Sequence, residues 1–347
     1  MRDVAVVSFS QFPNVRSENT RNEVEMLMPV IGEAIEASGI PRKEIGFTVS
    51  GSCDYLVGAP FSFVTGLDAV GAWPPIQESH VEMDGAWALY EAWVRLQHGD
   101  VDSALVYSFG KSSLGSLRDI LVLQLDPYCA APLWPDSISL AALQARAWLE
   151  SGHDELEMAE VAARSRRDAK ANAMAQLTGD SDPATLLKEP YVVSPLRRHD
   201  CPPLSDGAAA VVLAAGDLAR RACQHPAWIT SLDHRIETHG LGVRDLTMSP
   251  STALAGRKAA ASVEVAELHA PFTHQELILR GALELGPQVT VNPSGGALAA
   301  NAMMVAGLTR IAEAAGRIMD GSATRTLGHA TSGPCLQQNL VCVMEAG

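Results

Sequence analysis

The stretch DGAAAVVLA, Asp206 to Ala214, limits the fold more than any other part of the 347-residue chain. After Asp206 it carries no charge, so neither face of the segment suits water. A short apolar run of this kind reads as a strand covered on both faces, as in sheets flanked by helices. SALVYSFG, Ser103 to Gly110, is a second strand of the same kind, ending at glycine. The rest of the chain must therefore supply helices for both sides of a sheet.

The pattern around these two strands does so. Asp3 to Ser10 alternates like a strand, and Asn22 to Ser38 places Val24, Leu27, Met28, Ile31 and Ile35 on one helical face. Ile45 to Ser50 reads as a strand and Ser62 to Val70 as a helix. Trp87 to Leu96 is apolar almost all round, as a helix inside a core is. Residues from about 111 to 196 are less regular, with helical segments at Ser139 to Ser151 and Leu156 to Met174, and read as an insertion. The pattern then restarts: strands at Ala227 to Leu232, Val263 to Leu268 and Val289 to Val291, helices at Phe272 to Leu285 and Gly296 to Met319, and closing strands at Arg325 to Ala330 and Gln338 to Met344. Alternating strands and helices argue for α/β layering, and the restart suggests an internal duplication.

The net charge of −14 argues against an electrostatic nucleic-acid binder, although Arg197 and Arg198 form a small basic pair that suits a phosphate-bearing ligand. The six cysteines, Cys53, Cys129, Cys201, Cys223, Cys335 and Cys342, have no zinc-like spacing and read as free thiols, so no metal site is expected. The apolar core of MRDVAVVSFSQF is too short for a signal peptide, and no stretch reaches the roughly 18 apolar residues of a membrane span. A cytoplasmic protein is the expectation.

Four stretches join small and polar residues to a following helix or strand: LRRHDCPPLSDGAAAVVLA, ELHAPFTHQE, TVNPSGGALAANAMMVAGLTR and GHATSGPCLQQNLVCVME. Each alone is also ordinary turn chemistry. Together and in this order they resemble the thiolase superfamily, specifically sterol-carrier-protein-type thiolases and their lipid-transfer relatives. The resemblance implies duplicated βαβαβαββ halves in an α/β/α/β/α layering, with halves at 1–215 and 216–347. ELHAPF is similar to that group's histidine loop, which implies a catalytic role for His269. NPSGG is similar to the lead-in to the second catalytic loop, which implies that Gly295 and Gly296 line the substrate site. VYSFGKSSLGSL is similar to the segment after the nucleophile helix, and its Lys111 reads equally as a ligand contact or a solvated charge.

The departures narrow the chemistry. In QESHVEMDGAW the nucleophile position of the family falls on Met83, which cannot form an acyl-enzyme. The second loop has Asn301-Ala302-Met303 where the family has Gly-His-Pro, and the last loop has Thr331 or Ser332 near the position of the family's acid/base cysteine. What remains is His269, with Asp84, His329, Ser332 and Asn301 as candidate partners, Glu82 and His80 as further titratable neighbours, and Met83 as a pocket wall. A carboxylate at a helix start, such as Asp84, is also a common structural device.

An acyl-CoA pocket without a thiol can still stabilise a thioester enolate through N–H donors at loop and helix starts. The resemblance then implies retro-aldol cleavage of a β-hydroxyacyl-CoA of a sterol or steroid side chain, releasing a carbonyl product and a shorter acyl-CoA such as propionyl-CoA. It implies no cofactor beyond the coenzyme A of the substrate, a homo- or heterodimer of thiolase-like chains, and a small OB-fold acyl-CoA-binding partner. The family's aldolases use tyrosines in the two later loops, and none follows Tyr191 here. The alternative is a catalytically silent subunit paired with an active thiolase-like chain or an OB-fold protein.

Overall fold

The computed structural model describes residues 2–257 and 263–347. Its strands are β1 (Val4–Gln11), β2 (Phe47–Gly51), β3 (Glu78–Val81), β4 (Ser103–Lys111), β5 (Tyr191–Val193), β6 (Leu196–Arg197), β7 (Asp206–Ala215), β8 (Ala227–Ile236), β9 (Val265–Leu268), β10 (Thr290–Val291), β11 (Arg325–Ser332) and β12 (Gln338–Glu345). Its helices are α1 (Glu23–Ser38), α2 (Asp54–Val57), α3 (Phe63–Val70), α4 (Gly85–His98), α5 (Leu117–Leu123), α6 (Ser137–Glu150), α7 (Glu155–Asp168), α8 (Pro183–Leu186), α9 (Gly216–Ala222), α10 (Pro250–Gly256), α11 (Thr273–Ala282), α12 (Gly296–Ala299) and α13 (Ala306–Met319).

Apart from the β5–β6 hairpin, the strands form one ten-stranded sheet in the order β10-β9-β11-β12-β8-β1-β7-β4-β2-β3. The repeat that residues do not display is present in this order. Setting the hairpin aside, each run of five strands lies third-second-fourth-fifth-first, and the two first strands, β1 and β8, pair antiparallel at the middle. Directions repeat too: the second strand is parallel to the third and fourth (β2, β9), and the fifth is antiparallel to the fourth and first (β7, β12).

Alternation along each strand sorts side chains into three apolar layers. In β7, Ala209, Val211 and Leu213 face a central layer filled by α4 and α13, whereas Ala208, Ala210 and Val212 face α1. In β12, Leu340, Cys342 and Met344 face the same central layer, whereas Val341 and Val343 face the outer layer that includes residues of α10, α11 and α6. The result is α/β/α/β/α. Capping sets the helix ends. Asn22 and Glu25 form a capping box at the start of α1, Asp154 and Glu157 one at the start of α7, and left-handed Gly39 and Gly99 close α1 and α4.

The structure corrects several expected boundaries. The polar segment ESHV, not assigned to a strand from the sequence, is the edge strand β3. The long helix expected over Gly296 to Met319 is two helices separated by 300–305, with Met304 at φ 67°. The break follows from outside contacts: Ser205 Oγ accepts the Asn301 N–H at 3.0 Å, and the Met304 carbonyl accepts the Gly85 N–H at 2.8 Å. Helix α7 stops at Asp168 and continues only as a 3-10 turn over Ala169–Ala171.

The segment between β4 and β7 is tied down by buried polar contacts. Arg164 of α7 donates to Glu276 of α11 at 2.5 Å, and Glu276 is 1% exposed. Its other carboxylate oxygen accepts from Asn292 Nδ2 at 2.9 Å. Gln144 of α6, fully buried, accepts from Gln275 Nε2 at 3.0 Å. Removing the Glu276 carboxylate takes away the acceptor of both Arg164 and the buried Asn292 amide. Glu276→Ala is therefore expected to lower stability by about 2 kcal/mol in urea unfolding. It is also expected to raise hydrogen exchange in α6 and α7 more than in β7; uniform exchange would show that this pair does not dock the segment.

Candidate active site

The site forms where α4, α13, β9 and β11 meet, and its centre is Asp84. Asp84 caps α4 and is 2% exposed. Oδ1 accepts from Ala86 N at 2.9 Å and from Leu308 N at 3.0 Å, and Oδ2 accepts from Gly307 N at 2.9 Å. One carboxylate thus meets the starts of two helices, both with their positive dipole ends toward it. The chain makes room with glycine: a Cβ at Gly307 would lie 2.5 Å from Asp84 Oδ1, and one at Gly85 2.6 Å from Ser108 Oγ. The expectation that helix-start N–H groups are open to a substrate oxyanion is corrected here, because Asp84 and the Met304 carbonyl already use those of Gly85, Ala86, Gly307 and Leu308.

His269 follows β9 and is 8% exposed. The backbone N–H of Thr331 donates to its Nδ1 at 3.3 Å, and its Nε2 lies 3.2 Å from Asn301 Oδ1. A backbone amide can only donate, so Nδ1 carries the lone pair and the proton is on Nε2, which donates to Asn301. Burial pushes the imidazole below its usual range, the Asp84 charge and Asn301 oppose that shift, and Arg310 adds to it. The ring is therefore neutral near pH 7. Its bond fixes the Asn301 carboxamide with oxygen toward histidine, which leaves the NH2 group to face elsewhere.

Beneath this pair lies a buried network that the sequence reading did not single out. Glu267 of β9, fully buried, accepts from Ser294 N at 3.0 Å, Ser294 Oγ at 2.6 Å and Arg310 NH1 at 3.1 Å. Burial pushes the Glu267 carboxyl up, and Arg310 and Ser294 work against it. Asn292, at φ 51°, accepts from Leu268 N at 2.6 Å. The signal was inside the quoted motifs: Glu267 opens ELHAPF, and Asn292 and Ser294 belong to NPSGG.

The other expected site residues are placed as follows. His329 is fully buried in β11, with Nε2 3.1 Å from Asn339 Oδ1, and burial takes it to about 3. Its backbone carbonyl accepts the His269 N–H at 3.2 Å, so it supports the site through the main chain. Ser332 ends β11 opposite Gln338, half-buried, and Thr331 supplies the contact to His269 instead. Met83 is half-buried against the central apolar layer. Gly295 and Gly296 are buried, at φ 93° and 63°, and seat the inserted segment: Ser165 Oγ donates to the Gly295 carbonyl at 2.6 Å. Lys111 Nζ donates to the Arg21 carbonyl at 2.5 Å, which ties it to a loop. Glu82 accepts from Asp54 N at 2.6 Å, and His80 stacks on Phe63 at 3.7 Å between centroids. Arg197 is buried against Glu155 at 2.5 Å, so of the basic pair only Arg198 is exposed.

Two buried cysteines, Cys335 and Cys53, are engaged within the fold. Cys335 is buried with Sγ donating to the Leu140 carbonyl at 3.4 Å, and burial pushes the thiol up to about 12. Cys53 is also pushed up, first by burial. Neither is a ready thiolate. Among the described residues no group of three or more His, Cys, Asp or Glu can hold a metal ion, and no helix is long and apolar enough to cross a membrane.

No family model matches the chain. Similar curated proteins are the acetyl-CoA acetyltransferases of Methanothermobacter thermautotrophicus and Methanocaldococcus jannaschii. Each is 26% identical, over 91% and 90% of this chain and 90% and 89% of the relative. Among solved structures, the Ltp2-ChsH2(DUF35) aldolase matches with a TM-score of 0.82 at 19% identity, covering 99% of this chain and 98% of that one. The likeness in structure shows the fold: the chain has a thiolase-like α/β architecture.

Two outcomes follow from the burial. Asp84→Ala leaves the Gly307 and Leu308 N–H groups without a partner and is expected to cost about 3 kcal/mol in urea unfolding, since hydrogen bonds to a buried charge are lost together. A cost below 1 kcal/mol would show that the two helices do not depend on it. His274, like His329, is taken to about 3 by burial, so both are neutral in the fold. The unfolded chain titrates them near 6.5. Stability from these groups is therefore complete above about 6.5 and falls as pH drops from there toward 3, because the unfolded state binds protons that the fold does not. His329→Gln is expected to shrink the stability difference between pH 7 and pH 5 by about 2 kcal/mol relative to the parent. An unchanged difference would place a proton on His329 in the fold.

Proposed function

We propose that the chain is a thiolase-like acyl-CoA aldol-lyase, cleaving a β-hydroxyacyl-CoA of a sterol or steroid side chain into a carbonyl product and a shorter acyl-CoA such as propionyl-CoA. The observation that carries this reading is the alignment of Thr331 N–H, His269 and Asn301. The likeness in fold to a protein named an aldolase supports it.

The chemistry needs an acceptor for the β-hydroxyl proton and a donor for the enolate oxygen. Asn301 supplies the donor through its NH2 group, whose direction His269 sets. His269 supplies the acceptor once substrate binding draws its ring away from Thr331 N–H and frees a nitrogen lone pair. The β-hydroxyl gives its proton to His269, the Cα–Cβ bond breaks, and its electrons form the thioester enolate while the β-carbon becomes a carbonyl. His269 returns that proton to the α-carbon of the enolate, which gives the shorter acyl-CoA and restores the neutral ring. Asp84 takes no proton in this scheme; it holds α4 and α13 together beneath the reacting groups. The steps use no metal or redox cofactor.

The matching aldolase is named with a DUF35 partner, and this chain is proposed to work with a comparable small OB-fold protein that holds the acyl-CoA, in a dimer of thiolase-like chains. One observation favours a second reading, that of a catalytically silent subunit. His269, Asn301 and Thr331 are each under a tenth exposed, and both ring nitrogens of His269 are engaged.

The test uses the purified chain, alone and with a DUF35-type protein, and a β-hydroxyacyl-CoA of a steroid side chain. Release of a ketone or aldehyde together with a shorter acyl-CoA is expected, without consumption of free coenzyme A. Asn301→Ala and His269→Ala are each expected to reduce the rate by about 10²-fold or more. No cleavage under either condition, with the chain co-purifying with an active thiolase-like protein, would establish the silent-subunit reading.

A further inference from the structure

Helix α7 carries three arginines, and two of them are paired. Arg164 meets Glu276 at 2.5 Å, and Arg167 meets Asp168 at 3.2 Å. Arg166, half-buried, has no ion pair among the described residues, and its Nε is shut off from solvent without a hydrogen-bond partner. The basic pair in LRRHD divides in the same way. Arg197 is tied to Glu155 and to the Glu189 carbonyl, whereas Arg198 is exposed and has no ion pair among the described residues. The short turn Arg198–Asp200 packs on α7, so the two unpaired guanidiniums share one place in the fold. Burial lowers the Arg166 guanidinium first, and the charge of Arg198 lowers it further.

The carboxylates around them are committed elsewhere. Glu189 acts on Arg166 only from beyond ion-pair range, and its Oε2 lies 3.1 Å from His199 Nδ1. Asp200 accepts from Thr273 Oγ1 at 2.7 Å and from Arg197 N at 2.8 Å. Where Arg198 approaches Cys201, the neighbouring Asp136 is paired with Arg118 at 3.4 Å. Two like charges held together, one of them half-buried, are unfavourable unless an anion joins them. A lone carboxylate would neutralise only one of the two. A phosphate monoester carries about 1.5 to 2 negative charges near pH 7 and offers three acceptor oxygens, and guanidinium forks match those oxygens in pairs.

We propose that Arg166 of α7 and Arg198 of the turn after β6 form a binding site for a phosphate group, free or carried as a monoester. The helix that holds it also braces the candidate active site, because Ser165, next to Arg166, donates to the Gly295 carbonyl. A bound phosphate therefore steadies the segment behind the NPSGG loop. The inference stands apart from the proposed aldol cleavage, and binding is read without turnover.

The test is calorimetric titration of the full chain with inorganic phosphate, adenosine 3′,5′-bisphosphate and acetate at matched ionic strength, with melting temperatures measured in parallel. Phosphate is expected to bind, and to raise the melting temperature by about 2 °C at roughly ten times its dissociation constant. Acetate is expected to do neither. Tighter binding of the bisphosphate than of phosphate identifies a nucleotide phosphate as the ligand, and equal or weaker binding identifies the free ion. Arg166→Gln and Arg198→Ala are each expected to weaken phosphate binding about 10-fold or more. Without phosphate, Arg198→Ala is expected to melt at or above the parent temperature, because it removes a repulsion. Arg167→Ala, whose partner is Asp168, is expected to leave binding unchanged. No binding of phosphate, equal binding of acetate, or binding indifferent to the Arg166 and Arg198 variants would overturn the proposal. A melting temperature of Arg198→Ala below the parent's would show the two charges already compensated within the fold, and would overturn it as well.

Discussion

The carboxylate of Asp84 is the point on which the centre of the molecule turns. Helices α4 and α13 come from different halves of the sheet order and share the middle layer, and both begin at this one side chain. Two positive helix ends brought together need a negative charge between them. Where the chain supplies that charge itself, the surrounding residues adapt: Gly85 and Gly307 have no room for a Cβ, and the chain leaves helical geometry over 300–305 so that α13 can begin at the right place. Met83, at the preceding position, packs against the central apolar layer.

With the helix starts closed, polar chemistry moves one layer outward to the ends of β9 and β11. There His269 bridges a strand N–H and an asparagine, over a buried glutamate–arginine pair that holds the NPSGG loop. The inserted segment reinforces that loop from the other side. Asn172 Nδ2 donates to the Ser294 carbonyl at 3.1 Å, and the Leu177 N–H to the Ala299 carbonyl at 3.0 Å. Asn301 is therefore held by its histidine and, through Ser205 Oγ, by Gln176 Oε1. In the proposed reaction a donor held this way needs little reorganisation as charge develops on the enolate.

Much of the architecture was legible in the sequence because β4 and β7 are covered on both faces and so read as unbroken apolar runs. The edge strand β3 was not, since ESHV lies half-exposed and its composition suits a loop. The run GALAANAMMVAGL reads as one helix from its small residues, and the contacts that break it come from Ser205 and Gly85, far away in sequence. His269 and Asn301 could be singled out by motif, and their contact is a tertiary fact. Glu267 with Arg310 and Arg164 with Glu276 lie 43 and 112 residues apart, beyond any local spacing rule. Asp84 was read as a candidate helper in catalysis because a helix-start acid looks the same in sequence whether it binds a substrate or a second helix.

The central claim is that Thr331 N–H and Asn301 hold His269 neutral with its proton on Nε2, so that asparagine presents its NH2 group to the substrate. The most direct measurement is the 15N NMR signature of the His269 ring near pH 7, assigned by comparison with His269→Ala. The account predicts an unprotonated Nδ1 and a protonated Nε2. A proton on Nδ1, or a fully protonated ring at that pH, would contradict it.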